Sequence, residues 1–328
     1  MNETVLILGA NGRFGRVAAR AFADAGWNVV AQARKPLLDA VHPRIGHLGV
    51  AVTDRDAVVA GAAGASVVVQ AMNPLYTNWD AEALPLNAAA IAIACSLNAT
   101  LMLPGNVYNF GSPMPAELTE RTPDRPTNRK GEIRCQMEAA IRAGTPRSIV
   151  VRAGDFFGGP GIGSWMDQAI IKDLAKGRIT YPGPRNLEHA WAFLPDLART
   201  FVLLAQARDR LALHESFHFP GHTLSGDELV AGITRAARRR GLLPMNGQPV
   251  VKGMPWTLVW MAGLFNPLLR EVAKMSYLWR EPHRLTGAKL RAAIGAIPCT
   301  PLDEALDTTL AELNFCVPHS AAVAPSPA

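Results

Sequence analysis

Between positions 9 and 15 the chain reads Gly-Ala-Asn-Gly-Arg-Phe-Gly, a G-x-x-G-x-x-G spacing. Gly9, Gly12 and Gly15 permit a tight turn and let a pyrophosphate come close to the backbone. Asn11, Arg13 and Phe14 fill the positions between them and belong to the same candidate binding loop. An apolar run at 5–8 precedes the turn, and an alanine-rich amphipathic stretch at 16–25, closed by Gly26, follows it. That order is strand, turn, helix. The free N–H groups and positive dipole end of such a helix hold anions. A tight turn with no ligand would leave three glycines at the helix mouth without a reason.

A second apolar run, at 27–33, ends in Arg34-Lys35. In nucleotide-binding βαβ units an acid at that place holds the ribose 2′-hydroxyl, whereas a cation suits a 2′-phosphate. No acid is present, so NADP(H) is expected over NAD(H); the alternative is two solvated loop cations. Further along, Tyr76 and Trp79 lie on a loop after the strand at 66–71, where they can stack on nicotinamide or substrate. Lys130, Arg134 and Glu138 are four apart and so share one helix face. Asp155 follows a strand and either meets a ligand or caps a turn. His189 precedes Trp191 in the presumed cleft and is either a ligand contact or a structural donor. No metal is expected, because His214, His218 and His222 fall on a stretch that alternates like a strand and is broken by Pro220-Gly221.

These residues need elements to hold them. Apolar runs at 5–8, 27–33, 46–52, 66–71, 100–103 and 148–151 read as strands, with helices at 56–63, 81–97 and from 130 onward between them. Thr53 or Asp54 is placed to cap the helix at 56–63. Six strands alternating with helices in about 150 residues predict a Rossmann-type α/β fold, a doubly wound parallel sheet. Residues 1–154 form that dinucleotide-binding domain. Residues 155–316 are expected as a smaller, mainly helical lobe over the sheet's C-terminal edge, within which the chain can return to the sheet. Helices are expected at 165–176, 197–206 and 225–240, and a short strand at 216–219. The alanine-, proline- and serine-rich tail, 317–328, is expected to be disordered.

The 328 residues are 49% hydrophobic and 18% charged with a net charge of +6. The cations are dispersed, and the run Arg238-Arg239-Arg240 suits a solvated helix face better than nucleic acid. Cys95, Cys135, Cys299 and Cys316 are far apart, with no disulfide-dense or metal-ligand pattern. Cys95 and Cys135, in apolar helical stretches, read as buried thiols. With no leader-like segment, the cytoplasm is the expected compartment. Residues 253–269 are uncharged but contain two prolines and are too short to span a membrane. They read as a buried helix, a substrate lid or a contact with a second copy.

Taken together, several motifs resemble the extended and atypical branches of the short-chain dehydrogenase/reductase superfamily, the NAD-dependent epimerase/dehydratase-like proteins. They are the glycine turn, the loop after Val69, the segment 106–111, the helix opening at Lys130, Arg152-Ala153-Gly154-Asp155-Phe156-Phe157-Gly158, and Trp191-Ala192-Phe193-Leu194-Pro195-Asp196-Leu197-Ala198. The resemblance implies a Rossmann fold binding NAD(P), with Ala71, Met72 and Asn73 beside the cofactor. It also implies a Ser or Thr, a Tyr and a Lys doing the chemistry. Here the position five before Gly111 is Asn106, and counting back from Glu138 puts Lys130 at the tyrosine place and Arg134 at the lysine place.

Asn106 can hydrogen-bond a carbonyl oxygen or serve as a turn residue. Lys130 can donate a proton if its pKa is lowered, or bind ribose, phosphate or an anionic substrate alongside Arg134. Arg134 stays protonated and is a poor acid. Tyr108 can supply the proton instead, or pack on the sheet. The leading reading is a nicotinamide-dependent oxidoreductase or epimerase/dehydratase-like enzyme acting on a small carbonyl or alcohol. Its rival is a non-catalytic NADP-binding redox sensor, since the Tyr and Lys are missing.

Overall fold

The structure is a computed structural model that describes residues 3–38 and 42–313. The tail at 317–328 and Cys316 lie outside the described residues. β1 (Thr4–Leu8), β2 (Asn28–Gln32), β3 (Ile45–Leu48), β4 (Ala65–Gln70) and β5 (Thr100–Gly105) alternate with α1 (Arg13–Asp24), α2 (Arg55–Gly61) and α3 (Trp79–Ser96). The two-residue β6 (Glu117–Leu118) and α4 (Arg129–Gly144) lead to β7 (Ser148–Arg152) and β8 (Asp155–Phe157). Then come β9 (Arg178–Tyr181), β10 (Glu188–Phe193), α5 (Leu194–Ala207), β11 (His214–His218), β12 (His222–Ser225) and α6 (Gly226–Arg239). β13 (Val250–Gly253), α7 (Trp256–Gly263), α8 (Pro267–Lys274), β14 (Arg284–Leu285), α9 (Ala288–Ile294) and α10 (Leu302–Glu312) follow.

Seven strands form one parallel sheet in the order β11-β7-β5-β4-β1-β2-β3. Val5, Leu6, Ile7 and Leu8 are all fully buried, as a parallel sheet covered on both faces requires. Val5 and Ile7 pack toward α1 and α5, and Leu6 and Leu8 toward α3 and α4. The strand order reverses between β1 and β4, and open α/β sheets place ligands in the crevice at that switch point. The seventh strand, β11, is the stretch expected near 216–219. The chain therefore does return to the sheet after residue 154, and α5 packs against α1.

Local signals set several boundaries. Asp54 accepts the Ala57 N–H at 3.2 Å and starts α2. Ser225 and Glu228 close a capping box at the start of α6. Elsewhere tertiary contacts changed the outcome. The third strand stops at Leu48 rather than 52. The helix expected over 165–176 breaks into a π-helical turn at Met166–Ile170 and a 3-10 turn at Leu174–Lys176. Asp167, in that segment, accepts the N–H groups of Gly163 and Ser164 and pairs with Arg13, ties that replace continuous winding. Cys95 is exposed and Cys135 half-buried, not the buried thiols expected. α3 is apolar on nearly every side, so periodicity gave no sign that Ala83, Asn87, Ala90 and Ala94 would face inward and Cys95 outward. Residues 253–269 fold mostly into the paired helices α7 and α8. Among the described residues no helix is long and apolar enough to cross a membrane.

Candidate functional site

The glycine turn closes over the switch point. Gly9 has φ +81°, and its N–H donates to the Gln32 side chain at 3.1 Å. A Cβ on Gly9 would lie 2.9 Å from the Met72 side chain, and one on Gly15 only 2.4 Å from the Gly9 carbonyl oxygen. Bare backbone is therefore needed for α1 to approach β1 and β4. Gly12 is the N-cap of α1 and offers no side chain to its first turn. The N–H groups there keep their capacity for an anion.

The other loop side chains are engaged by protein. Asn11 donates to the carbonyls of Lys35 at 3.2 Å and Pro36 at 3.0 Å, and accepts the Leu38 N–H at 3.2 Å. It thus shapes the loop that carries Arg34 and Lys35. Those two cations are exposed and, among the described residues, make no ion pair. Arg13 pairs with Asp167 at 2.7 Å and donates to the Gly158 carbonyl at 2.8 Å, tying the turn to the second lobe. Phe14 packs edge-on against Phe201. Ala71 hydrogen-bonds the end of β1, Met72 lies over Gly9, and Asn73 is exposed beside them. A groove of about 1150 Å³ opens near Asn11 and Leu38 and runs along α1 and α5. Tyr76, Tyr108, Lys130 and Arg134 do not line it.

At the C-terminal ends of β4 and β5 the two phenols Tyr76 and Tyr108 share a hydrogen bond of 2.7 Å. Burial pushes both phenols above their ordinary value; at Tyr108, neighbouring Tyr76 and Asp155 add to the rise. Asn106 accepts the Tyr108 N–H at 3.0 Å and so holds the turn that presents the phenol. Arg134 is buried, with its guanidinium 4.8 Å from the Trp79 ring. One of its nitrogens reaches the Pro104 carbonyl at 3.4 Å, and its Nε has no partner. Burial lowers its pKa, and among the described residues no carboxylate hydrogen-bonds it.

Lys130 is also buried. Its ammonium donates to the Tyr76 carbonyl at 3.0 Å, pairs with Glu271 of α8, and lies 4.7 Å from the Tyr76 ring. Burial tends to raise the Glu271 carboxyl, but the hydrogen bonds from Lys130 and Lys274 outweigh it and hold the group below its usual range. Asp155 and His189 meet at 2.7 Å. The His189 ring stacks on Trp279 with centroids 4.4 Å apart, and His283 approaches its edge. His283 is fully buried, and burial together with His189 pushes its pKa down to about 3.

The family model described as RmlD substrate binding domain matches residues 3–172, just over half of the chain. The chain belongs to that family. It lies within the extended short-chain dehydrogenase/reductase superfamily. Solved structures agree on the fold. The Bordetella bronchiseptica enzyme WbmH, in complex with NAD+, aligns with TM-score 0.74 and 16% identity over 95% of this chain and 98% of that one. A UDP-glucose-4-epimerase from Stenotrophomonas maltophila, with bound NAD and formylated UDP-arabinopyranose, gives 0.74 and 12% over 96% and 99%. A partial consensus L-threonine 3-dehydrogenase gives 0.70 and 20% over 95% and 99%. Among curated proteins, no sequence matches this one.

In this member of the extended superfamily, Asn106, Tyr108, Tyr76, Trp79, Lys130 and Arg134 converge at one mouth of the sheet. Asp155 and His189 pair beside them. Sequence reading missed Glu271, Trp279 and His283. One signal pointed to Glu271: it is the first acid after a long acid-free stretch, 241–270. Nothing local marked Trp279 or His283, whose places depend on the return of β14 to β6.

Proposed function

We propose that the protein is an NADP-dependent oxidoreductase that reduces a small carbonyl substrate, with the Tyr76–Tyr108 phenol pair as proton source. The carrying observation is the uncapped first turn of α1 at the switch point. Two further features fit a dinucleotide there: the bare-backbone cradle of Gly9 and Gly15, and the buried Arg134 whose Nε lacks a partner. The α1 N–H groups would hold the pyrophosphate, and Arg134 would hold the nicotinamide ribose. Arg34 and Lys35 would meet a 2′-phosphate. Bound there, the nicotinamide supplies the hydride.

The chain's own residues then do the following. Asn106 fixes the turn that aims Tyr108. Tyr108 donates its proton to the substrate oxygen, and Tyr76 hydrogen-bonds the phenol and can pass on its own. Burial raises both phenol pKa values, so the pair is protonated and enters the reaction as a proton source rather than as a base. Lys130, held by Glu271, positions Tyr76 through its backbone carbonyl. Residues 155–316, which supply Asp155, His189 and the α7–α8 hairpin, would select the substrate. This division also fits epimerase/dehydratase-like chemistry, in which the same phenols would serve a sugar-sized alcohol.

The test is NADPH binding by fluorescence titration, then NADPH oxidation against a panel of aldehydes and ketones. Tyr108→Phe is expected to lower turnover by about 10²–10⁴-fold with little change in NADPH affinity. Full turnover in Tyr108→Phe would overturn the proton assignment. One observation favours a second reading, a nicotinamide-binding sensor: the Lys130 ammonium is already committed to Glu271 and the Tyr76 carbonyl. Tight NADPH binding with no turnover on any carbonyl would select it.

A further inference from the structure

From residue 241 to residue 270 the chain contains no acidic residue. Within that stretch α7 is wholly apolar apart from Thr257, and Gly263 is its only buried residue. The side chains on the outside of the α7–α8 hairpin are large: Trp260 is 50% exposed, Leu264 69%, Phe265 90% and Leu268 48%. Contiguous exposed apolar surface of this kind marks a place that something else covers.

The hairpin is not a loose segment. The Trp256 indole donates to the Pro182 carbonyl at 2.7 Å. Asn266 caps α8 by accepting the N–H groups of Leu268 and Leu269. Arg270 reaches back to the carbonyls of Gly263 at 2.9 Å and Leu264 at 3.0 Å. Glu271 ties α8 to Lys130. The apolar face is thus presented by a fixed scaffold.

Its charge identifies the occupant. Arg270 and Lys274 are exposed on α8, and Lys252 is exposed just before α7. The one acid, Glu271, is already neutralised by Lys130 and Lys274. The charge left over is positive and rings an apolar, tryptophan-bearing tip. At eight residues each, the helices are about 12 Å long and cannot cross a bilayer core of about 30 Å. Elements of this composition lie within the lipid interface. A second copy would set Arg270 and Lys252 against their own like charges.

We propose that the α7–α8 hairpin docks onto an anionic lipid surface, inserting Trp260, Leu264 and Phe265 below the headgroups while Lys252 and Arg270 pair with lipid phosphates. Because α8 also holds Glu271 against Lys130, docking sets one wall of the candidate site at the membrane face.

The test is co-sedimentation of the full-length protein with vesicles of phosphatidylcholine and phosphatidylglycerol in equal parts, and with pure phosphatidylcholine. Binding to the mixed vesicles is expected, weakening as salt is raised. Leu264→Ser with Phe265→Ser is expected to weaken it by at least roughly tenfold. Lys252→Glu is expected to weaken it by at least about fivefold. The melting temperature should not fall in any of these variants, since the side chains are exposed. No binding to mixed vesicles at low salt, or equal binding by the double variant, would overturn the proposal. A concentration-dependent dimer that Phe265→Ser abolishes, without vesicle binding, would overturn it in favour of a second copy.

Discussion

Replacing Glu271 with Gln removes the anion that faces a buried lysine while leaving its shape. Lys130 has 4% of its side chain exposed and Glu271 17%, so the pair is largely desolvated. Removing one member of such a pair leaves an uncompensated charge, typically costing about 3–5 kcal/mol. One feature softens the loss here: the ammonium keeps the Tyr76 carbonyl and the faces of Tyr76 and Trp79. We therefore expect about 2–4 kcal/mol. With an unfolding entropy of about 2.1 cal/mol/K per residue, 328 residues give ~0.7 kcal/mol/K, so Tm is expected to fall by about 3–6 °C. Calorimetry of wild type and Glu271→Gln measures it. The sign with pH is fixed: the Glu271 carboxyl is held below its usual range, so its contribution is present above that range and lost as pH falls through the lowered value. The difference between the two proteins should therefore shrink in acid. A second variant, Lys130→Met with Glu271→Leu, is expected to recover most of the loss, because an apolar pair leaves no stranded charge. A Tm shift under about 1 °C for Glu271→Gln, or a double variant no better than the single one, would refute the reasoning.

Gly15→Ala places a methyl 2.4 Å from the Gly9 carbonyl oxygen; it is expected to cost about 1–3 kcal/mol and weaken NADPH binding at least tenfold by titration. His283 is held neutral by burial, so its contribution is complete above pH ~6.5 and lost as pH falls toward about 3. His283→Asn should accordingly remove about one proton, or ~1.4 kcal/mol per pH unit, from the acid slope of urea-unfolding free energy; an unchanged slope would contradict the burial argument. Arg34→Ser with Lys35→Ser is expected to weaken NADPH binding by at least about tenfold and leave NADH unchanged, as two charge-assisted phosphate contacts predict.

The parts of this molecule that depend on neighbours in the chain were legible from the chain. An apolar run, a glycine turn and an amphipathic stretch are short-range facts, and they suffice for β1, the turn at Gly9 and α1. Asp54 and Ser225 mark helix starts for the same reason: a cap acts within its own turn. Alternating elements of this kind also carry the parallel sheet, because crossover rules leave few ways to arrange them.

What faces what was decided only in three dimensions. Arg13 and Asp167 are 154 positions apart, and Lys130 and Glu271 are 141 apart. No local pattern records that either cation will find its anion. The Lys130–Arg134 spacing showed a shared helix face, but only the packing of α4 against the sheet buries that face, and among the described residues only Lys130 of the two makes an ion pair. The pairing of Tyr76 with Tyr108 needs the ends of β4 and β5 side by side, and that of Asp155 with His189 needs β8 beside β10. The sequence by itself determined a glycine turn at the head of a helix on a parallel sheet, since a backbone turn is a local property. The tertiary structure decided which side chains surround that turn, since burial and ion pairing depend on atoms far apart along the chain.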